Sequence, residues 1–240
     1  MTQHVQLNNV DHAKVKIRTE RSSALGDDRM FVPVFPHEFR HVQAHYPIVF
    51  MKDASIGGFR PVSLFGLEEG QNLFLSEEGW DAAYLPLAVR MQPFVIGLIP
   101  DGEGGKRLEV HLDKDHPRVT DAEGEPLFLD HGGHAPFLQD VTAVLEEVHH
   151  GEQSVAGFCR LLDELQLIEP FALDVTLNDG TQGRLAGYYT IHEERLYNLN
   201  KDELGRLQEA GALLPVFMVV ASLTHFEALV RRRNDQLASE

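Results

Sequence analysis

Three apolar runs, at residues 48–51, 61–67 and 72–75, follow one another closely, separated by a loop with Gly57-Gly58 and a Glu68-Glu69-Gly70 turn. A parallel neighbour needs a crossover of about a dozen residues or more, usually a helix, and there is no room for one here. Antiparallel pairing follows. This spacing rules out a doubly wound parallel sheet in this part of the chain.

The next stretch, residues 80–100, is the hub of the N-terminal half. It holds Trp80, the only tryptophan, and Pro86 and Pro93 bracket a short helical turn. An apolar run then covers 94–99. Large aromatic and aliphatic side chains dominate core energetics, so the surrounding segments should assemble on this piece.

Upstream, residues 1–30 are polar, with weak alternation at Val5, Leu7, Val15 and Ile17. They read as an extended N-terminal arm with one short strand. Residues 31–34 form a strand, and Phe35, Phe39, Val42 and Tyr46 recur at helical spacing after it. Downstream, Asp101 to Gly105 reads as a mobile acidic hairpin loop, and 107–112 as a half-buried strand.

From His134 on, the pattern becomes helical. Leu138, Val141, Leu145 and Val148 mark one helix, and Val155, Phe158, Leu162 and Leu165 a second. Gly151 between them suggests a tight helical hairpin. Asn178-Asp179-Gly180 between two β-rich runs is a hairpin signal. Asn200 with Glu203 is close to a capping box, Leu204 and Leu207 make that helix's inner face, and Gly211 stops it. Residues 213–221 read as a strand rather than a buried helix, because β-branched residues are frequent and Pro215 lies near the start. Ser222 then caps a last helix, and Arg231-Arg232-Arg233 puts positive charge at its C-terminal end.

The expected fold is α+β: a mainly antiparallel sheet with a helical hairpin and a C-terminal β-hairpin plus helices. Eight to ten strands and five helices are expected. Beyond the arm, residues 31–240 form a single domain with a subdomain break near residue 134.

Composition narrows the function classes. The 37 acids outnumber the 21 bases, for a net charge of −16. That argues against nucleic acid and against docking on anionic lipid. Cys159 is the only cysteine, which excludes an intrachain disulfide and a cysteine zinc cluster. The N-terminus lacks the basic and apolar regions of a secretory signal. The apolar runs at 94–100 and 213–221 fall short of the ~20 residues of a membrane helix. A cytoplasmic, soluble protein is the expectation.

The chemistry that can be weighed is sparse. His131-Gly-Gly-His134 could bring two imidazoles to one metal, but zinc takes three or four ligands. His149 and His150 lie about 20 Å away along the intervening helix. A polar turn is the simpler account, and His131 and His134 are kept as the alternative metal pair. The glycines near 101–105 lack the Gly-Lys-Ser/Thr ending of a phosphate loop, and no dinucleotide fingerprint follows a strand. No cofactor is expected. Cys159 beside Phe158 on an amphipathic helix reads as a buried small hydrophobe. Trp80, Tyr84 and Arg90 are residue types that anchor interfaces, and they form the candidate binding surface. The competing account packs Trp80 and Tyr84, four apart, into the core.

Several pieces in order resemble the SapC family of bacterial proteins. They are Tyr46-Pro47-Ile48-Val49-Phe50, Asn72-Leu73-Phe74, then Trp80, Tyr84, Pro86 and Pro93-Phe94. Further on come Pro126-Leu127-Phe128, Leu167-Ile168-Glu169-Pro170-Phe171, Gly187-Tyr188, and Gly211 through Ser222-Leu223. The resemblance spans residues 31–231 and concerns a family distinct from the membrane permease of the same name. It implies association with surface-layer loci, flavin-dependent tryptophan-halogenase-like proteins and outer-membrane TonB-dependent receptors. It supplies no catalytic residues. The expected function is a soluble accessory protein that recognises a peptide or a protein partner, such as a flavin-dependent halogenase-like enzyme. An enzyme with a divided, metal-assisted histidine site is the alternative, and a homodimer is compatible with both.

Overall fold

The computed structural model describes residues 3–100 and 106–239. The hairpin loop expected at 101–105 lies outside the described residues. Antiparallel sheets and helices make up the chain, so the fold is α+β. Among the described residues there are thirteen short strands and seven α-helices, more of each than the sequence suggests.

The chain divides into two compact units. The first comprises residues 1–27, 75–80 and 87–150, and the second 28–74, 81–86 and 151–240. The long helix Pro136–Glu164 gives its first half to one and its second half to the other.

In the first unit, Lys106–Asp113 pairs with Phe94–Pro100 on one side and with His4–Gln6 on the other. Lys16–Ile17 is the central strand of a smaller sheet, between Val119–Thr120 and Glu125–Pro126. The segment expected to be an arm thus supplies strands to two sheets. Ile17, Phe94, Leu112, Leu127, Phe128, Leu138, Val141 and Leu145 form the core of this unit. A buried ion pair ties down the rest of the N-terminal segment. The Arg118 guanidinium bonds the Asp27 carboxylate and donates to the carbonyls of Arg18 and Glu20. Arg21 reaches the other Asp27 oxygen at 3.3 Å. A buried charge persists only where such partners replace water.

The second unit is built on a five-stranded antiparallel sheet. Its order is Ile168–Thr176, Gln182–Ile191, Ile48–Asp53, Gly58–Leu64, Phe31–Pro33. The crowded apolar runs from residue 48 onward make the central hairpin, with Ile48 opposite Ser63 and Asp53 opposite Gly58. Phe35, Phe39, Val42 and Tyr46 are all buried, although only Phe39–Val42 is α-helical between turns. Tyr46, Phe65 and Phe74 pack edge to face at centroid distances of 4.7–6.2 Å. Such pairs contribute about 0.5–1.5 kcal/mol each beyond burial.

Four expectations need correction. The helical hairpin is one unbroken helix, Pro136–Glu164. Gly151 does not end it; its missing side chain leaves the space where the Phe35 ring sits, and a Cβ there would lie 2.4 Å from Phe35 Cγ. Residues 213–221 are helical, within Leu213–Ser222, not a strand. Pro215 stands in the first turn, where its missing N–H costs nothing. Ser222 caps no helix; it is the buried end of that one, its hydroxyl donating to Val219 and accepting from Ile48 N–H. The last helix, His225–Ser239, runs beyond Arg231–Arg233, so these arginines sit in its middle. Arg232 there bonds Asp81 at 2.7 Å and lies 4.3 Å above the Phe74 ring.

The two mid-helix glycines give opposite expectations. A Cβ added at Gly157 would meet nothing within 4 Å, whereas one at Gly151 meets Phe35. Gly157→Ala should stabilise by about 0.5–1 kcal/mol through backbone entropy. Gly151→Ala should instead destabilise by about 1–3 kcal/mol through overpacking. Urea unfolding of both variants checks this; equal gains at the two positions would contradict the Phe35 contact.

Candidate functional site

The helix Leu213–Ser222 is apolar on every side, and the stretch 210–224 contains no charged residue. A helix of that kind is normally enclosed. Here one face is. Pro215, Val216, Val219 and Ser222 are buried, a stripe set by helical periodicity. The opposite stripe is open: Leu214 is 55% exposed and Phe217 48%, with Ala221 exposed one turn further on. Leu213, Met218 and Val220 flank it half-buried.

Two further helices of the same unit, of which Lys201–Glu209 touches Leu213–Ser222, also carry exposed apolar groups. Tyr197, at the end of Glu193–Tyr197, is 86% exposed. Leu204, expected on the inner face of Lys201–Glu209, is 39% exposed, while Leu207 is fully buried. That second helix starts with the complete capping box of Asn200 and Glu203. Its cap is further fixed by Arg195, which bonds Glu203 and the Leu165 carbonyl. Contiguous exposed apolar surface is the material of which interaction sites are made.

This uncovered face is the candidate site. Sequence reasoning misses it when β propensity is weighed over periodicity in 213–221. The signal is present: Val216, Val219 and Ser222 recur every third residue, and Ser in that series marks a helix that needs one polar contact in its buried stripe.

The residues picked from sequence divide between the units. Trp80 is half-buried in the first unit, in the strand Gly79–Trp80, with Leu75 as its cross-strand partner. Arg90 ends the short helix Leu87–Arg90 of the same unit and is exposed. Tyr84 belongs to the second unit. Its hydroxyl donates to Glu38 at 2.8 Å, its carbonyl accepts from Tyr46 at 2.5 Å, and its ring stacks on His41. Glu38, itself buried, also accepts from the Phe35 N–H. Tyr84 therefore locks the segment 81–86 to the second unit's core.

His131 and His134 lie in a turn of the first unit closed by a bridge between Phe128 and His134. The Gly132 carbonyl accepts there from Asn9, and both histidines are exposed. A cleft of about 400 Å³ runs beside His134, Asn9 and Phe128. Among the described residues, no group of three or more His, Cys, Asp or Glu side chains is placed to hold a metal.

A second hollow, of about 540 Å³, opens in the second unit at the tip of the central hairpin, between Lys52, Gly57-Gly58, Phe59 and Asp163. Cys159 lines a smaller recess beside it. Burial pushes its thiol up to about 12, against a lesser downward pull from the Arg60 charge. Nucleophilic cysteines need the opposite shift. At the edge of the hollow, Asp53 accepts from the Ser55 hydroxyl, the Ser55 N–H and Arg60. These bonds, the Ser55 hydroxyl first, hold its carboxyl down to about 2. Arg60 also reaches both Glu152 oxygens at 2.8 Å.

Residues 7–229 match the model of one protein family, SapC. No curated protein and no solved structure matches the chain.

Two measurements test these local chemistries. A thiol titrating near 12 should resist a disulfide reagent at pH 8 in the folded protein and react at once in urea; fast labelling of the native state would restore Cys159 as a nucleophile. Asp53 has a folded pKa below its unfolded value of about 3.9, so its stabilisation is complete above that value and lost as pH falls toward about 2. Asp53→Asn should thus lower the urea midpoint at pH 6 and match wild type near pH 2. A difference independent of pH would refute the ionic account.

Proposed function

The chain belongs to the SapC family, and on that premise we propose that it is an accessory protein that binds a protein or peptide partner. The observation that carries this reading is the open apolar stripe of Leu214, Phe217 and Ala221 on an otherwise enclosed helix. A side chain such as Phe217 gains about 1.5–3 kcal/mol on full burial, and two such groups exposed side by side are a standing cost to solubility. A partner that covers them recovers that free energy.

The state of the polar groups supports the same reading. Cys159 is buried and hard to ionise. Tyr84 and Glu38 are engaged with each other and with the backbone. The family's association with flavin-dependent halogenase-like proteins makes such an enzyme the first partner to try. Trp80 and Arg90 remain a second locus, in the first unit.

Calorimetric titration against a flavin-dependent halogenase-like protein is the test. Binding with a Kd on the order of micromolar is expected, weakened about tenfold or more by Leu214→Ser with Phe217→Ser. Trp80→Ala measures the share of the other locus. Absence of binding, or a serine pair that binds like wild type, would overturn the reading.

A further inference from the structure

One sheet edge of the first unit is left unprotected. Lys106–Asp113 is flanked by His4–Gln6 on one side and by Phe94–Pro100 on the other. No further strand pairs with Phe94–Pro100 among the described residues. The bonds around the central strand fix which groups face out. The Val110 carbonyl accepts from the Leu7 N–H on the His4–Gln6 side, and the Asp113 N–H donates to the Pro93 carbonyl on the other. Even-numbered residues of Lys106–Asp113 thus serve the first neighbour and odd-numbered ones the second. Val95, Gly97 and Ile99, opposite His111, Glu109 and Arg107, therefore spend their backbone groups inside the sheet. Ile96 and Leu98 turn theirs outward, where no backbone partner meets them among the described residues.

Open edges invite strand pairing, and proteins blunt them with charge, proline, bulges or short length. Other sheet edges of this chain carry such devices. In the second unit, Ile168–Thr176 has Glu169, Pro170, Asp174 and a register shift between Phe171 and Leu173, and Phe31–Pro33 is three residues long. In the first unit, His4–Gln6 is also three residues long. Phe94–Pro100 has seven residues, no charge, and an unbroken register from Leu112 to Lys106. Its one device is Pro100, at the very end. Val95, Ile96, Gly97 and Ile99 are half-buried, so part of their surface stays open.

The sequence of the strand says what covers it. Phe-Val-Ile-Gly-Leu-Ile-Pro has apolar residues of like kind at matching distances on either side of Gly97. Turned end for end against itself, it sets Val95 against Ile99 and Ile96 against Leu98, with Gly97 on the axis. The direction of the backbone groups agrees. Ile96 and Leu98, which point outward, meet as the hydrogen-bonded kind of antiparallel pair, in which both N–H···O bonds are exchanged. Gly97 falls at the close, non-hydrogen-bonded position, and it brings no side chain there. We propose that Phe94–Pro100 is the two-fold contact of a homodimer, in which two copies join their three-stranded sheets into one antiparallel sheet. The proposal does not rest on the accessory-protein reading, whose surface belongs to the second unit.

An extended segment of another protein fits less well. It finds no charge along the strand to recognise, whereas a second copy matches it position by position. One strand pair covers far less than the roughly 800 Å² per partner of a permanent dimer, and two chains of net charge −16 repel each other. The dimer is therefore reversible, with a Kd on the order of micromolar or weaker, and it tightens as salt screens the repulsion.

Sedimentation equilibrium of the full chain across the micromolar range, at low and high salt, tests the association. Ile96→Pro removes an N–H that bonds nothing within the sheet, so it should weaken the dimer about tenfold or more in a chain that still folds. Thiols read the register. In a Cys159→Ser background, chains with Val95→Cys and chains with Ile99→Cys should form an interchain disulfide when mixed under oxidising conditions, because the register sets their Cα atoms about 4.5 Å apart. Neither should crosslink to itself, since like positions lie ~13 Å apart along the paired strands. Protein that is monomeric at both salts, or a dimer that a folded Ile96→Pro chain forms as well as wild type, would overturn the proposal. So would thiols that crosslink within each variant as readily as between the two. If the thermal midpoint shows Ile96→Pro unfolded, the crosslinking pattern decides alone. A chain that stays monomeric yet pairs an extended peptide along this edge would assign the edge to another protein and equally overturn the homodimer.

Discussion

A phenyl ring seated on a glycine fixes how closely the helix Pro136–Glu164 meets the segment that carries Phe35. Gly151 in Pro136–Glu164 leaves the space that Phe35 fills, and any larger residue there would push the ring or the helix away. Because the helix continues, its first half can supply Leu138, Val141 and Leu145 to the core of the first unit. Its second half supplies Val155, Phe158 and Leu162 to the second. Phe158 meets Phe39 edge to face at 5.9 Å, so the segment that provides Phe35 also receives the helix two turns further along.

That helix is legible in the sequence, but only from phase rather than from residue type. Val148 and Val155 differ by seven and so share one helix face across Gly151, while Phe158 and Leu165 fall one position off the register of Leu138 and Leu145, which is the turn of the buried face from one unit's core to the other's. Treating glycine as punctuation hides this. The same preference for residue type over period turns 213–221 into a strand. By contrast, features with short-range causes are plain in the sequence. The Asp179-Gly180 hairpin, the Asn200–Glu203 capping box and the antiparallel pairing of 48–64 each depend on residues a few positions apart.

What the sequence does not announce is the long-range use of polar groups. The Arg118–Asp27 pair joins residues 91 apart, and the Ser222 hydroxyl serves the Ile48 N–H across 174. Nothing local in either segment points to a partner. Each contact fixes a segment that local patterns treat as independent: the N-terminal stretch in the first case, the last helices in the second. Burying such groups is costly unless they are paired, so each contact also restricts the fold to arrangements that bring the two ends together. The candidate site shares this limit. Tyr84 looks like a recognition residue from its type, and only the distant Glu38 and Tyr46 show it to be a structural bolt.

The open face of Leu213–Ser222 is the converse case, in which a residue's type and its place disagree. Ser222 puts the only polar side chain of the helix into its buried stripe, while Leu214 and Phe217 face out. An inside-out exchange would have enclosed the apolar groups and exposed the hydroxyl. It would also have left the Ile48 N–H without its acceptor at the centre of the sheet, a loss of about 1–3 kcal/mol. The helix is therefore held in its present rotation by the burial of Pro215, Val216 and Val219 together with one buried hydrogen bond. With the rotation fixed, only about half of the Leu214 and Phe217 surface is covered by the second unit itself, and the rest stays open.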